Sequence, residues 1–156
     1  MKTSLWLHNI RSAYNVGSLF RTADAVGIQH IYLSGYTPLP IDRFGRYRSD
    51  IAKTALGSEK TLSWSQLKNI PKDILELKSR GNFFVCVEQD KKSIDIFEAR
   101  LPQGKDIILA VGEETRGFEP ELLGLADMIV EIPMRGKKES LNVTVAFGIA
   151  AYTLLK

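Results

Sequence analysis

Cysteine and histidine are scarce in this chain, and that scarcity removes several chemistries at once. A single cysteine, Cys86, cannot form an intrachain disulfide, and its place inside Phe83-Phe84-Val85-Cys86-Val87 marks it as a buried core thiol. The only histidines, His8 and His30, are far apart, and nothing near Cys86 has ligand spacing, so no metal site is expected. Long apolar runs are also missing. The uncharged and mostly apolar segment Asn142 to Leu155 has 14 residues, short of the roughly 20 that span a bilayer. No signal-like apolar segment opens the chain, so the expected location is the reducing cytoplasm, without membrane attachment. Neither a Walker A loop nor a Gly-x-Gly-x-x-Gly signature occurs.

What is present fits one globular domain over residues 1–156, with 44% hydrophobic and 25% charged residues. The net charge of +3 is unevenly spread. Residues 1–60 hold 8 Lys and Arg against 4 Asp and Glu, while residues 61–156 hold 13 against 14. Within the basic part, Arg43, Arg46, Arg48 and Lys53 interleave with Phe44 and Tyr47, and Arg11 lies upstream. Such a segment suits phosphate contacts and base stacking; it equally suits an ordinary solvated loop.

Hydrophobic patterning gives the order of elements. Leu5-Trp6-Leu7 and Ile31-Tyr32-Leu33 read as strands. Between them, Val16, Leu19, Phe20, Ala23 and Val26 follow the i, i+3, i+4, i+7 spacing of an amphipathic helix that Gly27 stops. Residues 35–62 lack sustained periodicity and read as a long loop with a helical turn near Ile51 to Leu56. A helix is expected within Ser65 to Ser79, most securely from Lys72. Phe83 to Val87 is a buried strand, and a short helix is expected near Ile94 to Phe97. Ile107 to Val111 is an unbroken apolar strand of the parallel-sheet kind. A short helix starting at Pro120 and a strand from Met128 to Ile132 follow. The last helix, Asn142 to Leu155, is apolar nearly all round and belongs in a core or an interface. The alternation implies an α/β fold with a mainly parallel sheet and helices on both faces.

Three segments combine flexible backbone with polar side chains beside these elements. In the first, Asn15 can cap the helix, Gly17 keeps its first turn open, and Arg21, about 140° from Val16, points away from the apolar stripe. In the second, Gly112 and Gly117 bracket Glu114 directly after the central strand, which is a tight turn or a ligand-facing loop. In the third, Ser140 and Asn142 precede the last helix, where one of them serves as its cap.

Taken together, Asn15…Arg21 with Thr22-Ala23-Asp24-Ala25-Val26-Gly27, Gly112-x-Glu114-x-x-Gly117 and Ser140-Leu141-Asn142-Val143 resemble, in order and spacing, the SPOUT superfamily of RNA methyltransferases. The resemblance is to its SpoU/TrmH-type branch of ribose 2′-O-methyltransferases and covers nearly the whole chain. It implies a sheet whose C-terminal part is threaded into a trefoil knot, a homodimer, and S-adenosylmethionine as methyl donor. It further implies that Arg21, Asn15, Glu114, Ser140 and Asn142 form the catalytic set, and that Val87, Gly112, Ile132, Ser140 and Leu141 hold the cofactor. Arg11, Arg43, Arg46, Arg48 and Lys53 would meet the RNA, either tRNA or rRNA, with tRNA slightly favoured by the small size; without an appended RNA-binding domain, substrate choice would fall to the dimer surface and the 35–62 loop, or to a partner. Two other readings stand beside it: an RNA-binding dimer of the same fold without catalysis, and a nucleotide-binding α/β module that uses another cofactor.

Overall fold

The apolar run after Asp106 decides the architecture. In the computed structural model, which describes all residues from Met1 to Lys156, it forms the strand Asp106–Val111 near the middle of a seven-stranded sheet. Ile107, Leu109 and Val111 enter one core layer, whereas Ile108 and Ala110 enter a second layer on the other face. A strand buried on both sides has no polar alternation, which is why this segment reads as continuous hydrophobicity.

The elements run in chain order as β1 Thr3–His8, α1 Ala13–Val26, β2 His30–Ser34, α2 Ser49–Ala55, α3 Ser58–Thr61, β3 Ser63–Leu67 and α4 Lys72–Ser79. They continue as β4 Asn82–Val87, β5 Ile94–Asp95, β6 Asp106–Val111, α5 Pro120–Leu123, β7 Met128–Glu131 and α6 Val143–Leu154. The strands lie in the order β3-β2-β1-β6-β4-β7-β5, and every neighbouring pair is parallel. All carboxyl ends therefore emerge along one edge of the sheet. Helices α1, α2 and α6 pack on one face, through Leu19, Phe20, Ile51 and Phe147. The other face is covered by Ile74 of α4, Phe118, and Leu122 of α5. Leu19, Phe20, Ile51, Ile74 and Phe147 are fully buried, and each contributes about 1.5–3 kcal/mol of transfer free energy.

Several expectations change. Helix α1 starts before Val16, and its cap is Ser12, whose Oγ accepts the Asn15 backbone N–H at 3.2 Å. Asn15 thus sits inside the first turn, and its side chain does not cap the helix. Gly17 does not loosen that turn; it lets α2 touch α1. A Cβ there would lie 2.1 Å from Thr54 Oγ1 and 2.3 Å from the Ile51 carbonyl. Gly27 ends α1 in the left-handed region at φ 82°, as expected.

The helical turn expected near Ile51 to Leu56 is helix α2, and a second short helix, α3, follows it where loop was expected. Residues 63–67, expected in part to be helical, form the edge strand β3 paired with β2. Ser63 and Ser65 on one face and Gln66 on the other leave that strand without an apolar stripe, which hides it from hydrophobic patterning. The helix expected near Ile94 to Phe97 is instead the two-residue strand β5 and a turn in which Asp95 Oδ1 accepts the Phe97 N–H at 2.9 Å. No helix is long and apolar enough to cross a membrane.

Candidate active site

Where β4, β6 and β7 end, the chain leaves the sheet in loops that enclose a cleft of about 310 Å³, within the usual size of small-molecule sites. Val87, Gly112, Ile132, Ser140 and Leu141, five positions scattered over 55 residues of sequence, all line it, together with Glu114. Val87, Ile132, Val143 and Ala146 supply an apolar wall, while Glu88, Glu114, Glu131 and Glu139 supply carboxylates.

The loop 112–117 is folded around its own acid. Glu113, 7% exposed, accepts Thr115 Oγ1 at 2.5 Å, the Arg116 N–H at 2.5 Å and the Thr115 N–H at 3.3 Å. Its carbonyl takes the Gly117 N–H at 2.8 Å. The Thr115 hydroxyl, followed by those amides, holds the Glu113 carboxyl below its ordinary value. With Glu113 turned inward, Glu114 is left to face α1, where it accepts Asn15 Nδ2 at 3.3 Å. That bond joins two of the predicted catalytic side chains across 99 residues of sequence.

Glu88 supports the loop from below. It follows β4 and accepts the Phe118 N–H at 3.2 Å and the Gln89 N–H at 3.0 Å. Burial pushes its carboxyl above the ordinary value. Gly117 is at φ +68°, and a Cβ there would meet Glu88 Oε2 at 2.1 Å. Only glycine satisfies both the dihedral and the contact. Gly112 is equally confined, since its Cβ would lie 2.9 Å from the Phe118 ring.

A second support comes from His8 at the end of β1, which is buried. Its Nδ1 is 2.7 Å from Ser34 Oγ and its Nε2 is 2.9 Å from Glu119 Oε2. Trp6 Nε1, which can only donate, also points at Ser34 Oγ, at 2.7 Å. The arrangement that satisfies every group has the Ser34 hydroxyl donating to Nδ1 and Nε2–H donating to Glu119; the tautomer is inferred from these partners. The His8 ring also stacks on Phe118 with 11° between planes. The segment carrying Glu114 is therefore pinned at its far end to β1.

The remaining predicted residues fall outside the cleft. Asn142 caps α6, its Oδ1 accepting the Thr144 N–H at 2.9 Å. Arg21 is exposed on α1, six residues and about 9 Å of helix beyond Asn15, and is absent from the cleft lining of its own chain. Of the basic residues, Arg46 pairs with Asp42 at 3.0 Å and Arg48 with Asp50 at 2.7 Å. Arg11, Arg43 and Lys53 form no salt bridge. Sequence reasoning missed Glu88, Glu113 and His8. The position of Glu88 directly after a buried parallel strand was the available signal.

An all-parallel sheet with a cleft at its carboxyl edge defines an α/β ligand-binding protein. More specifically, the chain belongs to the SpoU rRNA Methylase family, which it matches over residues 2–152. It is 31% identical over 150 residues to a tRNA (guanosine(18)-2′-O)-methyltransferase of Aquifex aeolicus, covering 92% of this chain and 64% of that protein. A crystal structure of an AdoMet-bound rRNA methyltransferase from Sinorhizobium meliloti superposes with a TM-score of 0.87 at 27% identity, over 97% of this chain and 55% of that one. A structure described in terms of 2-OH methylation of C/U34 on tRNA gives a TM-score of 0.77 at 27% identity, over 97% of this chain and 92% of that one. The chain spans 64% of the Aquifex aeolicus protein and 54% and 57% of two similar 23S rRNA (guanosine-2′-O-)-methyltransferases, from Neisseria meningitidis and Ralstonia nicotianae.

Proposed function

We propose that this protein transfers a methyl group from S-adenosylmethionine to a ribose 2′-hydroxyl of RNA, as a homodimer in the reducing cytoplasm. One observation carries the reading: Val87, Gly112, Ile132, Ser140 and Leu141 converge with Glu114 on a single cleft in a chain of this family. The donor set fits such a cofactor. The apolar wall suits an adenine ring, and the carboxylates of Glu88, Glu114, Glu131 and Glu139 suit a ligand bearing sulfonium and ammonium charges. When bound, the sulfonium supplies an electrophilic methyl.

The chain's own residues prepare the acceptor. A guanidinium remains protonated in proteins, so Arg21 acts as a clamp on the RNA phosphate beside the reacting ribose, stabilising the alkoxide-like charge. The hydroxyl proton passes to that phosphate oxygen. Asn15 and Glu114 orient the nucleotide, and Ser140 and Asn142 fix the approach to α6.

Dimerisation answers the position of Arg21. Helix α6 buries Val143, Phe147, Ala150 and Ala151 yet leaves Val145 and Tyr152 exposed. Apolar surface on a second face suits a partner copy. Arg21 flanks this surface, because the neighbouring Thr22 faces Gly148 of α6, and it is therefore offered to the partner's cleft. The trefoil knot belongs to the same proposal, supported by family membership. tRNA is favoured as substrate because the neighbour matched over 92% of its own length concerns tRNA.

The test is to map 2′-O-methylated ribose in total RNA from cells with and without the gene, and to repeat the transfer with purified protein and labelled cofactor. A site that disappears with the gene and is restored in vitro is expected. RNA binding with no transfer to any RNA pool would favour the non-catalytic dimer instead.

A further inference from the structure

The carboxyl edge that carries the cleft also carries four exposed aromatic rings. Tyr14, Tyr36, Phe44 and Tyr47 expose 51%, 51%, 67% and 49% of their surface. Each has a cation over its ring. Arg11 lies 5.7 Å from the Tyr36 centroid, Lys53 5.8 Å from Tyr14 and Lys60 5.1 Å from Tyr47, while Arg43 and Arg46 lie 4.8 and 5.0 Å from Phe44.

The pairing is selective. Arg43, Lys53 and Lys60, all seated on rings, form no salt bridge, and Arg11 forms none either, meeting the Glu113 carboxylate only at longer range. The nearby acids are already committed: Asp42 to Arg46, Asp50 to Arg48, and Glu59, which is buried, to the Gly57 N–H. The rings are linked in space as well. Arg11 and Tyr36 follow the adjacent parallel strands β1 and β2. Tyr14 is tied to α2 by Thr54 Oγ1, which donates to its carbonyl at 2.8 Å, and Lys60 belongs to the helix that follows α2.

We infer that Tyr14, Tyr36, Phe44 and Tyr47 form a stacking surface for the unpaired bases of a single-stranded RNA segment, with the ring-bound cations meeting its phosphates. This rests on the proposed RNA reading and names the form of RNA taken. At Tyr14, Tyr36 and Tyr47 the single cation over the ring holds it in place and leaves the opposite face for a base, and Phe44, which has two cations beside it, is the most exposed of the four rings. Stacking is sequence-tolerant, since every base has a π-face. An A-form duplex keeps its bases inside and offers this surface only phosphates and ribose hydroxyls. The rings therefore add affinity for single strands alone.

The experiment compares the full-length protein's affinity for a short RNA lacking self-complementarity with that for the same strand annealed to its complement, at one fixed salt concentration. Wild type is expected to prefer the single strand. Tyr36→Leu and Phe44→Leu should each weaken single-strand binding about ten-fold and leave duplex binding unchanged. Tyr36→Phe and Phe44→Tyr should restore it, and unchanged thermal unfolding verifies that the variants fold. Equal wild-type affinity for duplex, undiminished single-strand binding by the leucine variants, or displacement by polyglutamate as effective as by RNA would each overturn the inference. Single-strand binding with no methyl transfer to any RNA would leave it standing while removing the enzymatic reading.

Discussion

Two surfaces share the carboxyl edge of one sheet and differ in every property that selects a ligand. The cleft beyond β4, β6 and β7 is concave, partly apolar and rich in carboxylates. The surface beyond β1 and β2 carries exposed rings, each with a cation beside it, and its acids Asp42 and Asp50 are ion-paired. The charge imbalance between residues 1–60 and 61–156 thus becomes a spatial division. Under the proposed function the small cationic cofactor takes one side and the polyanion the other, so that each would bind without competing for the same charges.

That division can be broken most severely at Arg21, which belongs to neither surface of its own chain. Arg21→Ala should lower methyl transfer by about 100- to 1000-fold and leave S-adenosylmethionine affinity, read by calorimetry, near the wild-type value. Comparable losses in both would remove Arg21 from its assigned role.

Gly117→Val attacks the cleft alone. The left-handed dihedral and the contact with Glu88 force the loop outward, and cofactor affinity should fall roughly 100-fold with single-strand RNA affinity unchanged. Wild-type cofactor binding by this variant would show that the loop does not shape the site.

Glu113→Gln tests the same loop more gently, with an expected loss of about ten-fold in cofactor affinity, the equivalent of one hydrogen bond to a charged group. Because the folded-state pKa of Glu113 is depressed, its stabilisation is complete above the ordinary carboxyl value and is lost as pH falls through the depressed one. Acid titration of the wild type should therefore show a weakening of cofactor binding that the glutamine variant lacks; identical profiles would contradict the assignment.

Salt sharpens the contrast further. RNA affinity should fall linearly on a log–log plot, and alanine at Arg11, Arg43 or Lys53 should each reduce the slope by about one. Cofactor affinity should barely respond. The smallest effect is expected at Arg48: since Asp50 already pairs with it, Arg48→Ala should change the slope by clearly less than Arg43→Ala. Equal slopes for the two variants would mean that ion pairing inside the loop does not govern RNA contact.

The central strands were legible because burial on both faces leaves an unbroken apolar run, as in Ile107 to Val111. Helix α4 was legible from Lys72 onward because Pro71 fixes its start. The edge strands were not. β3 is polar on its open side and β5 is two residues long, so neither has the periodicity that patterning detects. The cleft positions followed from the family resemblance, since Val87 and Ile132 look like ordinary ends of apolar strands. Asn15 was recognisable as polar at a helix start, but its partnership with Glu114 arises only when β6 is inserted beside β1. His8 was set aside as a lone histidine, and its bonds to Ser34 and Glu119 depend on residues 26 and 111 positions away.

The contact at Gly17 has a mechanical reading. With Thr54 and the Ile51 carbonyl inside the space of a methyl group, α1 and α2 meet at a joint with no slack. Helix α1 carries Tyr14, under Lys53 of α2, and Asn15, which reaches toward Glu114, within one turn of that joint. Any side chain larger than a hydrogen atom at residue 17 acts as a shim: it tilts one lever against the other, and the spacing between the two ligand-bearing surfaces shifts with it.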